Sequence, residues 1–307
     1  MVKYLRHSEI DKAKWDACIV GGGHGLLYAM SWYLDIVHPG WEALVDDDYA
    51  AVMPLTGKEK FGVCYLHQPF FTQQLGVFGN DADVASFLQH IPSRYRFVEI
   101  RLNERNRLAD DREGVESHSN FLLSLGDPYG EIKKRYHTNT RRNLVKAEGN
   151  GLRVVKDAGM KDVVALFRRN RGASLSKWGD EEYARLLRLA EEAVRRGNAF
   201  VYGVAEAGSD EIVCGALFLK SEGRITFLFS GCGEKGKSLQ AMTFLIDRVI
   251  REYSERDMLF DFEGSDDANL ARFYQGFGGT MTPYPGYKAM RLSLVGRFLL
   301  SCWKKLR

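Results

Sequence analysis

The sequence predicts an α+β protein with two domains of similar design in tandem, each a mixed sheet flanked by helices. Its 307 residues exceed what one compact core usually takes. A composition of 45% hydrophobic and 27% charged residues is ordinary for a globular chain. One order of elements, namely hairpin, loop, helix and acid-bearing strand, occurs in both halves and ends near Glu99 and Asp261. We therefore expect a duplicated fold.

Charge and cysteine usage exclude several classes of protein. The net charge of +3 is too small to indicate nucleic-acid binding on its own. The odd number of cysteines and their wide spacing without C-x-x-C fit a reducing compartment better than a disulfide scaffold or a zinc site: Cys18, Cys64, Cys214, Cys232 and Cys302. The chain has neither the apolar core of a signal peptide nor a run of 18 apolar residues. We expect a cytoplasmic protein without a metal.

The first half begins with a helix over 8–18 and a glycine cluster at 21–25, which we interpret as a loop because no strand precedes it. A second helix over 26–37 carries Tyr28 and Trp32, which belong either to the core or to a substrate-binding pocket. A hairpin is predicted from 41–45 and 49–55. The Asp46–Asp48 turn between its strands fits a solvated turn better than a metal site, because no further ligand spacing follows.

The rest of the first half predicts strands at 61–68, 76–78 and 95–102 and a helix at 83–91. This half has no glycine-rich phosphate loop, so we expect it to have lost cofactor binding. A basic segment follows at 129–149. If it is one continuous helix, its cations fall within an arc of roughly 140°: Lys134, Arg135, Arg141, Arg142 and Lys146. The face is either a solvated helix surface or a site for an anionic substrate, a phosphate or an RNA backbone.

The second half opens with amphipathic helices at 159–171 and 180–196 and a strand from 198 to 206. A hairpin of 212–219 and 224–230 then leads into a glycine-rich segment and a long helix. The segment fits G-x-x-x-x-G-K-S, but the strand before it is the second strand of an antiparallel hairpin. An ATP-hydrolysing loop normally follows the first strand of a parallel sheet, so the hairpin argues against that function. Glycine amides and a helix N-terminus favour a phosphate-bearing cofactor, with a structural turn as the alternative. The predicted cofactor-binding residues here are Ser230, Gly231, Gly233, Gly236, Lys237 and Ser238.

An acidic strand at 258–263 and a short helix at 269–275 with a glycine stop complete this region. With a period of two residues, Asp261 and Glu263 share one face of the strand. We interpret both as catalytic carboxylates beside the cofactor, and the alternative is an ion pair or a surface acid. A carboxylate at a strand end can relay the proton of an attacking amine through water, so Glu263 is the candidate base.

The order of these elements and the run Asn-x-x-x-Phe-Tyr-x-x-Phe-Gly at 269–278 resemble the GNAT acyltransferase superfamily. In a shortened form, Asn269, Phe273 and Tyr274 match its late signature. The loop lacks the arginine or glutamine that usually opens it. The resemblance implies that the pyrophosphate of acyl-CoA lies on the loop and the helix N-terminus, with Asn269 at the cofactor. It also implies that Tyr274 is the acid that protonates the leaving group, whereas a core aromatic residue would need no chemistry.

Three segments, at 27–33, 134–152 and 260–265, are similar to Fem-type aminoacyltransferases, which have two GNAT-like halves. Those enzymes join amino acids from aminoacyl-tRNA to the peptide of a cell-wall precursor. The resemblance implies a degenerate, acceptor-side domain at 1–137 and a donor domain at 138–290, with Arg141 and Arg142 at the substrate. The single helix at 180–196 leaves no room for the long helical arm of some members.

The tail at 291–307 is basic and amphipathic. It either packs as a helix on the first domain or lies weakly on an anionic membrane surface at the inner face. The sequence as a whole predicts transfer of an acyl group from acyl-CoA to a small-molecule or cell-wall-precursor amine. The alternatives are an aminoacyl-tRNA-dependent transferase, with tRNA as donor and partner, and a non-catalytic binding protein of the same fold.

Overall fold

The computed structural model describes residues 1–23, 25–80, 82–109, 112–174, 178–264 and 266–291. They form two compact units, one of Met1–His118 together with residues 283–291 and one of Ser119–Thr282. Each unit has its own apolar core. The change of unit after His118 comes earlier than the boundary predicted after residue 137, because the strand that begins at Val115 continues into the sheet of the second unit. The predicted tail from residue 292 lies outside the described residues.

In the part of the first unit that the structure describes, three α-helices and two short 3-10 turns accompany two sets of strands. The helices are α1 (Lys12–Gly21), α2 (Ser31–Val37) and α3 (Val84–Gln89). The strands are β1 (Lys3–Leu5), β2 (Glu42–Asp46), β3 (Ala51–Leu55), β4 (Gly57–Lys60), β5 (Val63–His67), β6 (Phe78–Gly79) and β7 (Tyr95–Arg101). One sheet has the order β1-β2-β3-β6, and β4, β5 and β7 are neighbours in the other. The predicted hairpin across Asp46–Asp48 is confirmed by the antiparallel pairing of β2 with β3.

The second unit holds the larger set of elements. Its helices are α4 (Tyr129–Lys134), α5 (Thr138–Gly149), α6 (Met160–Arg169), α7 (Asp180–Arg195), α8 (Glu234–Ser238), α9 (Ala241–Tyr253) and α10 (Ala268–Gln275). Its strands are β8 (Val115–Ser124), β9 (Leu152–Lys156), β10 (Ala199–Glu206), β11 (Ile212–Ser221), β12 (Arg224–Cys232) and β13 (Leu259–Asp261) in the order β8-β13-β12-β11-β10-β9. The final strand, β14 (Thr280–Met290), begins in the second unit, and its part from Gly286 onward belongs to the first unit, where it pairs with β7.

The centre of the second unit is the sheet at β11, β12 and β13. The predicted hairpin is confirmed, since β11 and β12 are antiparallel, while β12 and β13 are parallel. Helix α9 contributes Leu245, Ile246 and Val249 to the core that these strands share. On a period of 3.6 residues this apolar stripe drives the packing of α9 onto the sheet. The mixed sheet flanked by helices is the predicted α+β architecture.

The basic segment at 129–149 is not one continuous helix, so the condition for a single cationic face is not met. The chain leaves helical geometry between α4 and α5, where the backbone N–H of His137 donates to the carbonyl of Gly276 at 2.9 Å. The Tyr136 ring is buried against Phe277 at the same point, with the ring centroids 5.4 Å apart. Because a tertiary hydrogen bond replaces a helical one, the five cations do not share a single helix face.

The described residues contain no helix long and apolar enough to cross a membrane.

Candidate functional site

A cavity of about 410 Å³ opens in the second unit where β12 ends and α8 and α9 begin. Its apolar wall comes from Phe227, Met242, Leu270 and Phe273. Its polar wall comes from Arg171, Ser230, Cys232, Gly236, Lys237, Gln240, Thr243 and Tyr274. Such a mixed lining fits a ligand with an apolar part and a charged or polar part, and the volume is that of small-molecule sites.

The predicted glycine loop of residues 231–238 is not a loop. Gly231 and Cys232 still belong to β12, and the chain turns into the short helix α8 from Glu234. The predicted long helix starts only at Ala241, because Gln240 takes a left-handed conformation at φ 61° and separates α8 from α9. Neither helix has a side-chain cap at its start. Of the two helix starts, that of α9 lies at the cavity, since Gln240 and Met242 line it, whereas the residues that begin α8 do not.

The glycines of this segment allow the backbone to approach its neighbours closely. A Cβ on Gly231 would lie 2.1 Å from the carbonyl oxygen of Val163 on α6. A Cβ on Gly236 would lie 2.4 Å from the carbonyl oxygen of Val213. Gly233 donates its N–H to the same Val213 oxygen at 3.0 Å. Gly236 lines the cavity, whereas Gly231 and Gly233 shape the segment behind it.

Two cationic residues, Lys237 and Arg171, lie in the cavity wall. The Lys237 side chain is 56% exposed, and its Nζ contacts Glu234 at 2.5 Å. A surface pair of this kind is weak, so an anionic ligand competes with it readily. Ser238 points elsewhere, since its hydroxyl donates to the carbonyl of Lys235 at 2.8 Å. The polar wall thus carries positive charge beside the start of α9.

Tyr274 reaches the cavity from α10 and is 7% exposed. Its ring stacks on Phe262 with the centroids 5.1 Å apart and contacts Phe121. Burial raises the pKa of the Tyr274 phenol, and the nearby Glu263 carboxylate raises it further, while Arg171 acts against the shift. The phenol is therefore neutral at physiological pH and able to donate a hydrogen bond into the cavity.

The two predicted catalytic acids do not share a strand face. Because β13 ends at Asp261, Glu263 lies beyond it in a left-handed conformation at φ 51°. Asp261 is fully buried and accepts from Arg224 Nη1 at 2.6 Å. Its other oxygen accepts the Glu263 backbone N–H at 2.8 Å. Asp261 thus fixes the turn that carries Glu263, and the half-buried Glu263 is near enough to act on the pKa of Tyr274.

The remaining predicted residues lie away from the cavity wall. Asn269 is exposed in the first turn of α10, where its backbone N–H donates to the capping Asp267. In the first unit, Tyr28 and Trp32 are buried and pack against Tyr33. Arg141 and Arg142 are exposed on α5. Their predicted roles in cofactor or substrate binding stay predictions.

Sequence reasoning missed several residues of the cavity. Arg171 is one of them: it follows α6, which the missing side chain of Gly231 lets approach β12. Cys232 and Thr243 were not assigned to a site. The signal available was positional, since Cys232 lies within the glycine-rich segment and Thr243 lies in the first turn of the helix that follows it. Among the described residues no group of three or more His, Cys, Asp or Glu side chains is arranged to hold a metal ion.

The fold and the cavity define the class of protein, and comparisons with known proteins agree with it. Residues 133–274 match the family model described as an acetyltransferase (GNAT) domain. Most of the second unit therefore matches a GNAT domain, and the fold of the chain is that of two GNAT-like domains in tandem. Comparison of the sequence with curated proteins gives no match.

Solved structures support the tandem arrangement. The chain is similar to the crystal structure of FemX, with 11% identity and a TM-score of 0.64 over 92% of this chain and 96% of that one. It is also similar to L-PGS from Bacillus licheniformis, with 14% identity and a TM-score of 0.55 over 95% and 96%. A tandem GNAT protein from the clavulanic acid biosynthesis pathway gives 11% identity and a TM-score of 0.54 over 95% and 99%. At these identities the likeness concerns the fold.

Proposed function

We propose that the protein is an N-acyltransferase that moves an acyl group from acyl-CoA to an amine, with the donor bound in the cavity of the second unit. The observation that carries the proposal is the lining of the cavity, which combines the uncapped start of α9 and two cations with apolar side chains. Helix N-termini and cations favour a pyrophosphate, and an apolar wall favours an acyl chain or a pantetheine arm.

Lys237 and Arg171 would hold the phosphates together with the amides at the start of α9. The Lys237–Glu234 contact is surface-exposed, so its loss costs little when phosphate replaces the carboxylate. Gln240 orients the start of α9, since its side chain donates to the carbonyl of Lys237 at 3.1 Å. The donor binds without a metal in this arrangement.

Acyl transfer requires the attacking amine to lose a proton and the leaving thiolate to gain one. Tyr274 is the proton donor in this scheme because its phenol is neutral and borders the cavity. A raised pKa makes the phenol a weaker acid, but it also keeps the phenol protonated, so that the proton is available to the leaving thiolate. Glu263 accepts the proton of the amine through water, from the turn that Asp261 fixes.

The test is direct binding of acetyl-CoA by calorimetry to the full chain. Replacing Lys237 or Arg171 by alanine removes a charge-assisted contact worth about 1.5–3 kcal/mol, so each variant is expected to bind roughly 10- to 100-fold more weakly. Arg188→Ala is the matched control, because Arg188 is an exposed cation on α7 away from the cavity and its loss leaves affinity unchanged. If neither cavity variant changes the affinity for acetyl-CoA, or if acetyl-CoA does not bind at all, the proposal is contradicted.

A second candidate, an aminoacyl-tRNA-dependent transferase, is favoured by one observation. Arg141, Arg142 and Lys146 are exposed on α5, and within the described part of the chain none of them has an ion-pair partner. Such cations suit a phosphate backbone. If tRNA binds there, Arg141→Ala and Arg142→Ala each lower the slope of log K against log salt by about one. Binding of tRNA without that change in slope contradicts the second candidate.

A further inference from the structure

Cys214 on β11 and Cys232 on β12 lie directly opposite each other in the antiparallel ladder. The next pair along, Val213 and Gly233, is a hydrogen-bonded pair, because Gly233 N–H donates to the Val213 carbonyl at 3.0 Å. Antiparallel pairs alternate, so the two cysteines form a non-hydrogen-bonded pair, in which Cα atoms are about 4.5 Å apart and side chains are closest. That spacing falls within the roughly 4.4–6.8 Å found for disulfides.

The two thiols differ in accessibility and in acidity. Cys214 is fully buried in the core of the second unit, and burial raises the pKa of its thiol. Cys232 is partly buried and lines the cavity. A hydrogen bond from Cys214 lowers the pKa of the Cys232 thiol, with a smaller contribution from the charge of Lys237. Cys232 is thus the thiol that solutes reach, and Cys214 is positioned behind it.

The other cysteines that the structure describes have different surroundings. The Cys18 thiol donates to the carbonyls of Ala50 and Phe78, and burial raises its pKa. The Cys64 thiol donates to Glu59, and its pKa is also raised, first by desolvation and then by that carboxylate. Within the described ranges, neither has a cysteine opposite it on a neighbouring strand. Thiolates rather than thiols are the nucleophiles, so these two are expected to react more slowly.

We propose that Cys214 and Cys232 form a reversible disulfide in the wall of the cavity when a peroxide oxidises them. The Cys232 thiolate attacks one oxygen of hydrogen peroxide, the O–O bond breaks, and the products are a sulfenic acid and water once the released hydroxide takes up a proton. The Cys214 sulfur then attacks the Cys232 sulfur, the S–O bond breaks, and the hydroxide leaves as water with the Cys214 proton. Two thiols lose two electrons, and one peroxide gives two waters.

The link between this site and the donor rests on the proposed function. Because Cys232 lines the cavity that acyl-CoA is proposed to fill, a bound donor shields it from the peroxide. Desulfo-coenzyme A, which has no thiol, is the suitable probe. At about ten times its dissociation constant it leaves roughly a tenth of the sites open, so oxidation is expected to slow about tenfold.

The experiment exposes the reduced full chain to hydrogen peroxide, blocks the remaining thiols with an alkylating agent and maps the peptides by mass spectrometry. The expected product is a peptide pair cross-linked through Cys214 and Cys232 that dithiothreitol separates. Cys232→Ser is expected to abolish it, and Cys64→Ser, the control, leaves it unchanged. Because Cys214→Ala changes a core residue, the conclusion does not depend on that variant.

Two results overturn the disulfide site. One is oxidation of Cys232 to sulfenic or sulfinic acid while Cys214 is still alkylated, and the other is a cross-link from Cys232 to a different cysteine. A disulfide that forms equally fast with and without desulfo-coenzyme A overturns the link to the donor and leaves the disulfide site intact. Shielding without any disulfide supports the donor cavity and removes the redox chemistry.

Discussion

Gly231 offers the sharpest test of how the cavity is built, because a single added methyl group meets only backbone. The Cβ of an alanine would lie 2.1 Å from the Val163 carbonyl oxygen and 2.8 Å from the Phe167 amide nitrogen. Carbon–oxygen contacts are ordinarily about 3.3 Å or longer, so α6 must move away from β12 by roughly an ångström. No side-chain rotation relieves the clash, since both atoms belong to the main chain of α6.

The expected cost follows from overpacking. Inserting a methyl group into a well-packed site costs about 1–3 kcal/mol, and in a unit of this size each kcal/mol lowers the melting temperature by about 2–4 °C. The shift also separates Phe167 from Phe229, whose rings are 4.7 Å apart across this interface. Arg171 follows α6 directly, so Gly231→Ala is expected to weaken acetyl-CoA binding as well as the fold.

Urea unfolding and calorimetric titration of Gly231→Ala measure the two effects separately. Gly149→Ala is the matched control, because Gly149 ends α5 and a Cβ there has nothing within 4 Å. Alanine is the better helix former by about 1 kcal/mol, so the control is expected to be neutral or slightly stabilised. If Gly231→Ala were as stable as Gly149→Ala, the close approach of α6 to β12 would not be a property of the protein.

Two further predictions concern buried groups. Tyr274→Phe is expected to lower turnover by about 10²- to 10⁴-fold, the usual contribution of a general acid, and to leave the affinity for acetyl-CoA unchanged. Steady-state kinetics measure the turnover and calorimetry measures the affinity. If turnover is unaltered, the Tyr274 phenol has no part in the mechanism. Asp247 is fully buried on α9, where the Tyr129 hydroxyl donates to it at 2.8 Å, and burial raises its pKa. The Asp247 carboxyl therefore stays protonated in the folded protein at pH values above about 3.9, where it has already lost its proton in the unfolded chain. The free energy of unfolding consequently falls as the pH rises from about 3.9 through the pKa of the folded state. Asp247→Asn is expected to remove that part of the slope in urea unfolding at several pH values, and an unchanged slope contradicts it.

Patterning predicted the hairpin of the second unit because its strands combine branched and aromatic residues with a glycine turn. The same reasoning failed at Glu263, where a period of two was extended past the true end of the strand. The strand ends at Asp261 because that side chain accepts the Glu263 N–H, which removes it from any ladder. A side chain that accepts a backbone N–H two residues on leaves no trace in hydrophobic periodicity.

The break in the basic segment has a similar origin. The hydrogen bond from His137 to Gly276 joins parts of the chain that are far apart in sequence, so the helix propensity of residues 129–149 cannot indicate it. The glycine-rich segment matters for packing, although the sequence pattern indicated anion binding. Gly231 was predicted to turn its amide toward an anion, and its missing side chain instead admits α6. That approach brings Arg171 to the cavity, and no local pattern around Arg171 indicates it.

Asp261 has either a catalytic role or only a structural one, and two variants distinguish these roles. Its pair with Arg224 is almost completely buried, with side chains 4% and 0% exposed and the charged atoms 2.6 Å apart. Removing one partner of such a pair leaves a buried charge and costs about 3–5 kcal/mol, whereas replacing both is often close to neutral. We therefore expect Asp261→Asn to lower the free energy of unfolding by that amount, and Arg224→Met with Asp261→Asn to recover much of it.

The double variant separates stability from catalysis, because the asparagine oxygen still accepts the Glu263 N–H while the carboxylate charge is gone. If Asp261 acts only by holding the turn, the stabilised double variant keeps most of the turnover and the same dependence of kcat on pH. If Asp261 itself moves a proton, the double variant folds but loses a limb of the pH profile. The second result would move the base from Glu263 to Asp261 and would require the buried carboxylate to face the donor during the reaction.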